Sequence, residues 1–253
     1  MTQIKSTLID HMGSDLSVVN AARVSFGKES QAVEWLNYDY PNGGRCGDLI
    51  AVLDGRDTKL VKYLAKHKHL SPFGHAFASY HVKAPIFVAR QLVKHKFLRW
   101  NEVSRRYVDD EPEFYVPDVW RGKSADKKQG SINEEVKEIL VEGWKKEYPD
   151  RLKDYMEVSD AYDSVMNETL LCLYKDMIHS DIAPEMARMV LPQSTMTEWY
   201  WSGSLDAFAS MCKLRCASDT QYESRIVADQ ISDVMRDLFP VSWDALLQTG
   251  EKE

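Results

Sequence analysis

Apolar residues return at helical intervals along most of this chain, and only a few stretches alternate. Residues 3–10 alternate loosely and predict a strand, after which Ser14 and Asp15 cap a short helix through Ala22. Residues 57–66 bring Leu60, Val61 and Leu64 to one helical face, with Asp57 or Thr58 as cap. Residues 76–83 alternate as a second strand, and Pro85 suits the first turn of the following helix. There Ile86, Ala89, Val93 and Phe97 are expected to face inward, while Gln91, Lys94, His95 and Leu98 share another face. A short strand is expected over residues 113–116, and Ser131 with Glu134 makes a capping box for a helix through Lys146. Residues 151–179 read as a longer helix carrying Tyr155, Tyr162, Met166, Leu173 and Met177. Pro184 opens a helix ended by Pro192, and Ser204 caps another through Arg215 with Leu205, Phe208, Met211 and Leu214 packed inward. Ser218, boxed with Gln221, starts a last helix to Leu238, and the tail beyond Trp243 offers no chemistry.

Between these elements lie two long irregular stretches. One, rich in Gly, Asn, Asp and Tyr and ending near Gly47, has the length of a lid. Its Tyr38, Tyr40 and Arg45 either cover a ligand or are solvated loop residues. The other, residues 121–130, reads as an exposed loop.

Composition narrows the class. The chain has 253 residues, 44% hydrophobic and 28% charged, which suits a single globular domain with a full core. A net charge of -7 argues against a general nucleic-acid binder, because phosphate-backbone affinity needs an extended basic surface. A small phosphorylated ligand fits better. The four cysteines form no CxxC pair, so a reduced, cytoplasmic protein is the economical reading. No apolar run approaches the ~20 residues of a membrane span, and the start of the chain lacks an apolar signal core. There is no internal repeat, GxGxxG or P-loop.

Chemistry concentrates in residues 90–107, RQLVKHKFLRWNEVSRRY. In an acidic chain, this knot of cations with hydroxyl and amide groups implies a bound anion. Lys94 and His95 near a helix end also offset the helix dipole, which explains them equally well on periodicity alone. The stretch after Trp100 tips the balance. If it is extended, Ser104 and Arg106 point the same way and Arg105 points away, and a hydroxyl beside a guanidinium fork suits a phosphate monoester. Upstream, His67, His69 and His75 invite a metal reading, but their spacing matches no standard zinc motif, so some of them are expected to line a polar pocket with Ser71. Glu185 and Arg188 stand one turn apart, where an intrahelical ion pair is the ordinary expectation.

Read as a whole, Lys94-His95-Lys96, two residues, Arg99, one residue, then Asn101-Glu102-Val103-Ser104-Arg105-Arg106-Tyr107 resembles the signature of the flavin-dependent thymidylate synthases. AARVSF, HLSPFGH and HVKAPIFVARQ upstream, and PEMARMVLP and a Q-x-E after Arg215 downstream, are similar to further family segments. Residues 28–48 and 118–150 stand outside the resemblance as expansions of a domain spanning 1–253. The resemblance implies an α+β fold, with an antiparallel sheet surrounded by helices, and a homotetramer whose subunits share active sites. It implies reductive methylation of deoxyuridylate (dUMP), with methylenetetrahydrofolate as carbon donor and FAD reduced by NADPH as hydride source. By position, Gln91, Lys94, Glu102, Ser104, Arg106, Arg188 and Arg215 would hold dUMP. Arg215 would be catalytic, stabilising charge that develops on the uracil ring. Ser71, Lys94, His95, Lys96, Glu102, Ser204 and Ser210 would serve FAD, and no metal is implied.

The departures fall unevenly. Lysines stand for both arginines of Arg-His-Arg, Arg99 stands for the first serine, Ser204 and Ser210 stand for asparagines, and Asp206 for a basic group. Lysine keeps the charge of arginine but loses its planar fork. The same residues therefore also allow a relative that transfers another one-carbon group to a pyrimidine nucleotide, or a non-catalytic nucleotide-binding homologue.

Overall fold

The computed structural model describes residues 3–38, 48–124, 131–140 and 155–248. The chain divides into two compact units. The larger comprises Ile4–Lys83, Gln91–Asn101 and Glu198–Glu253, and the smaller Met1–Gln3, Ala84–Arg90 and Glu102–Thr197.

The larger unit is organised on a four-stranded sheet of order β1-β4-β10-β5, formed by β1 (Lys5–Met12), β4 (Phe77–Pro85), β10 (Met196–Ser204) and β5 (Leu98–Glu102). β1 runs antiparallel to β4, with Lys5 opposite Lys83 and a register shift between Leu8 and Asp10. Alternation along β4 buries Ala78, Tyr80 and Val82 and turns Phe77, Ser79, His81 and Lys83 to the other face. The buried side continues into an aromatic cluster. Trp100 stacks on Trp199 at 4.4 Å between ring centroids, and Phe208 meets Trp201 and Tyr80 edge-on at 5.6 and 5.4 Å. Gly203 permits this packing, because a Cβ there would run into the Leu98 side chain and lie 3.0 Å from the Phe97 carbonyl oxygen.

Helices α1 (Asp15–Arg23), α2 (Gly55–Lys66), α7 (Leu205–Arg215), α8 (Tyr222–Leu238) and α9 (Pro240–Gln248) complete this unit. Ser14 caps α1 in a box with Ser17, as its sequence suggests. The cap of α2 is Asp54, three residues earlier than expected, and its carboxylate accepts from the N–H groups of Arg56 and Asp57. Asp57 is buried instead, paired with Arg23. The helix expected to stop before Pro240 is followed directly by α9, because Pro240 begins a helix as readily as it ends one. The buried carboxylate of Asp15 accepts from the N–H groups of Val241 and Ser242 at 2.8 and 2.9 Å, and Trp243 Nε1 donates to Ser232 at 3.1 Å. The expected lid is bounded by a hairpin, β2 (Glu34–Tyr38) with β3 (Asp48–Val52), whose β-rich flanks were obscured by the loop composition between them. The Tyr38 side chain, Tyr40 and Arg45 lie outside the described residues.

Further corrections follow from tertiary pairing. α3 (Ile86–Leu92) ends before Val93, so Lys94, His95 and Lys96 stand in a turn and not on the helix. Val88, Ala89 and Leu92 are its buried residues, while Val93 and Phe97 are exposed. The chain must reverse into β5, and Phe97 does so with φ at 65°. α8 starts at Tyr222, four residues after the expected start, because the Ser218 carbonyl is taken by Arg225 and Gln221 becomes the cap. Leu214 is exposed, unlike Leu205, Phe208 and Met211.

In the smaller unit the helix expected from Ser131 is a strand. β7 (Ser131–Glu135) pairs with β6 (Arg121–Lys123), and the Ser131 hydroxyl accepts from Arg121 Nε at 3.1 Å where it was expected to cap a helix. β8 (Glu138–Leu140) pairs with β9 (Tyr155–Glu157), so the long helix begins only at Val158. It runs as α4 (Val158–Asp163), a π-helical stretch Ser164–Leu171 and α5 (Cys172–His179), burying Met166, Leu171 and Tyr174. Residues 113–116 supply one bridge, Phe114 with Thr195, and Tyr162 donates to the Tyr115 carbonyl at 2.9 Å. α6 (Pro184–Ala187) passes into a 3₁₀ turn, Arg188–Val190, that stops before Pro192 as expected.

Among the described residues no helix is long and apolar enough to cross a membrane, and no group of three His, Cys, Asp or Glu side chains could hold a metal ion. The His67 ring lies tilted against Tyr63 at 4.3 Å, and His69 lies nearly parallel to Tyr63 at 6.3 Å between centroids.

Candidate active site

The residues singled out in the sequence fall into two groups, one in each unit. In the larger unit, the end of α3, the turn after it, the end of α7 and the start of α8 bring Gln91, His95 and Arg215 together. Arg215 Nε donates to His95 Nε2 at 3.0 Å, and its Nη2 donates to the Gln91 carbonyl oxygen at 3.4 Å. His95 can accept only as a neutral ring. Burial, reinforced by the Arg215 charge, pulls its pKa down to about 4. Burial also lowers the pKa of Arg215, though a guanidinium remains protonated at any ordinary pH.

The Gln91 side chain is fixed by a directional chain of hydrogen bonds. The Glu223 carboxylate can only accept, so Gln221 turns its Nε2 toward it, at 3.2 Å. That leaves Gln221 Oε1 to accept from Gln91 Nε2, and Gln91 Oε1 to accept from the Ser224 hydroxyl at 3.1 Å. Gln221, Glu223 and Ser224 were not among the predicted site residues. The signal for Gln221 and Glu223 was the Q-x-E spacing at the start of α8; nothing local marked Ser224.

Lys94 and Lys96 flank His95 and are exposed. Ser71 opens the 3₁₀ turn Ser71–His75, which packs on α7, whose cap is Ser204 and whose exposed Ser210 lies further along.

The second group lies in the smaller unit. Glu102 Oε1 accepts from Thr197 at 2.8 Å. Ser104 begins a turn in which Tyr107 N donates to its carbonyl at 3.0 Å, so this segment is curled and not extended. The turn still separates the two arginines. Arg105 folds onto Asp110 at 3.0 Å and is only 15% exposed, whereas Arg106 is half exposed, with its Nε 3.9 Å from Glu185 Oε2. Arg188 is exposed on the 3₁₀ turn and donates through Nε to the Glu185 carbonyl oxygen at 3.3 Å. The expected Glu185–Arg188 carboxylate pair is thus replaced by a backbone contact. Arg106 and Arg188 reach the same residue, Arg106 through a long ion pair with its carboxylate and Arg188 through its backbone carbonyl.

Comparison with known proteins gives this geometry a context. The family described as thymidylate synthase complementing protein matches residues 7–241. A flavin-dependent thymidylate synthase of Thermus thermophilus is 33% identical over 242 residues, covering 94% of this chain and 73% of the relative. One from Thermosipho africanus is 32% identical over 245 residues, covering 97% and 91%. Among solved structures, the UMP/dUMP methylase PolB of Streptomyces cacaoi bound with 5-Br UMP superposes with a TM-score of 0.72 at 28% identity, covering 99% of this chain and 96% of that one.

Proposed function

The chain belongs to the thymidylate synthase complementing protein family, and from that premise we propose that it is a flavin-dependent thymidylate synthase, a methyltransferase that converts dUMP to dTMP. Methylenetetrahydrofolate gives the carbon, and NADPH gives the reducing equivalents. The supporting observation in the fold is the Arg215 guanidinium, held by a neutral acceptor at one edge so that its remaining N–H groups can face a ligand. Donors fixed in this way stabilise charge that develops on a uracil carbonyl as carbon 5 of the ring attacks the methylene donor, and they need not reorganise to do so. Ser104, Arg106 and Arg188 are proposed to take the nucleotide phosphate, since two exposed guanidiniums that meet at Glu185, one of them two residues from the Ser104 hydroxyl, suit a dianion. Gln91, oriented through Gln221 and Glu223, is proposed as a nucleotide contact, along with Lys94 and Glu102.

The residues proposed for FAD are compatible with it. Lys94 and Lys96 are exposed cations two residues apart in one turn, suited to a pyrophosphate, and Ser71, Ser204 and Ser210 add hydroxyls. The buried Oδ1 of the half-buried Asp206 has no hydrogen-bond donor among the described residues, an acceptor suited to a sugar hydroxyl. FAD, when bound, supplies the hydride that completes the methyl group; the protein's part is to bind, orient and keep charges in place. A homotetramer is proposed as the working assembly.

The purified protein is expected to absorb as a flavoprotein, to oxidise NADPH, and to give thymidylate by mass spectrometry from dUMP and methylenetetrahydrofolate. A protein that takes up no flavin on reconstitution would refute the reading. The likeness to PolB favours a second reading, in which uridylate is accepted as well. Competition between UMP and dUMP for turnover distinguishes the two: exclusion of UMP leaves only the first.

A further inference from the structure

We infer that His95 is a positioning residue for Arg215: its Nε2 is the fixed acceptor that aims the guanidinium, and this use, not a flavin contact, occupies that nitrogen. The inference rests on the proposed role of Arg215 at the uracil ring. Arginine carries five N–H donors in one plane. Here Nε–H goes to His95 at 3.0 Å and one Nη2–H to the Gln91 carbonyl oxygen at 3.4 Å. Both lie on the same edge of the fork, so two bonds fix its rotation. The end-on edge, with the Nη1 hydrogens and the second Nη2 hydrogen, is what remains to meet a carbonyl oxygen.

The choice of histidine follows from charge. A carboxylate at position 95 would hold Arg215 more strongly, but it would neutralise the charge the reaction uses. A lysine would repel it. A neutral imidazole accepts the bond and leaves the full positive charge in place. Burial, and Arg215 itself, keep the ring unprotonated, with its one proton on Nδ1. The turn that carries His95 is locked from both sides: His95 N donates to the Leu92 carbonyl at 3.1 Å, and Phe97 adopts left-handed backbone against Gly203. Phe97 itself is 84% exposed, so side-chain burial does not explain that conformation. The reversal of the chain into β5 does, and it closes the turn that carries His95.

The test uses the full chain labelled with ¹⁵N-arginine. A slowly exchanging Nε–H resonance of Arg215, assigned by its loss in Arg215→Lys, is expected without nucleotide. In His95→Phe, which keeps a ring but no acceptor, that resonance should exchange about tenfold faster or more. In the same variant kcat should fall about 10–100-fold, as is typical when an outer partner of a working group is removed. Flavin content and dUMP affinity should stay near those of the parent. His95→Gln, which returns an acceptor oxygen, should recover most of both losses, and His95→Leu replaces the Phe variant if that one does not fold. An unchanged resonance overturns the inference. So does a kcat loss in His95→Phe that excess flavin reverses, since His95 would then be a cofactor contact. If the resonance responds as expected but Arg215→Ala turns over normally, the proposed role of Arg215 fails and the catalytic meaning of the pairing fails with it.

Discussion

The two arginine-bearing regions of this protein hold their cations in opposite ways. Around Arg215 the polar groups are satisfied by one another: imidazole, backbone carbonyl, two amides, a hydroxyl and a carboxylate form a connected set with defined donor directions. Around Arg106 and Arg188 the cations are exposed and loosely held, sharing Glu185 at 3.9 Å and 3.3 Å. A preset guanidinium costs nothing to orient during a reaction, which suits charge that appears only in the transition state. An open pair of cations is suited to capturing an anion already charged in solution, where attraction matters more than aim. The difference teaches that cation count in residues 90–107 is a poor guide to role, and that the partners of each cation decide it.

The largest expected effect tests the preset side. Arg215→Ala should lower kcat by about 10²–10³-fold with a much smaller change in dUMP affinity, as for loss of a fixed oxyanion donor. Equal losses in kcat and affinity, measured by steady-state kinetics and calorimetry, would erase the contrast. Arg106→Ala and Arg188→Ala should each weaken dUMP binding by about 1.5–3 kcal/mol, the range for charged hydrogen bonds, with kcat at saturation nearly kept. Calorimetry showing unchanged affinity would remove the phosphate role from this region. Asp15→Ala asks whether the order around Arg215 is borrowed from the scaffold. It strips two backbone N–H groups of α9 of their acceptor and should cost about 1–3 kcal/mol in denaturant unfolding, without altering the ratio of kcat to affinity effects.

The smallest effect is a pH dependence. The folded state holds His95 at about 4, below the ordinary value of about 6.5, so the unfolded chain takes up the proton first. The stability contributed by the neutral ring is complete above about pH 6.5 and is lost as pH falls toward 4. Because the ring is only half buried, the contribution is about 1 kcal/mol or less. His95→Gln should flatten that part of the stability-against-pH curve, and an unchanged slope would place the titration elsewhere.

Local rules read well where a segment's own residues decide its conformation. The Ser14 cap, the alternation of β4, the Pro184 start and the inward Leu205, Phe208 and Met211 of α7 all follow from side chains acting on their own turn or strand, though Leu214 does not join them. They failed where a distant partner decided. Ser131 and Glu134 form a sound helix signal, yet pairing with Arg121–Lys123 makes a strand there. Asp57 looked like a cap and is the buried partner of Arg23, and Pro240 looked like an end and starts α9 under Asp15.

The same division runs through the candidate site. By itself the sequence determined which polar and charged residues gather in the motif and the family frame that orders them, because these are fixed by motif and spacing. Only the tertiary structure decided that His95 accepts from Arg215, that Gln221 and Glu223 direct Gln91, and that Arg105 is tied to Asp110 while Arg106 stays open. Such pairings join residues as far apart in the chain as 91 and 221, and a hydrogen bond depends on where the fold brings two atoms, which no local pattern encodes.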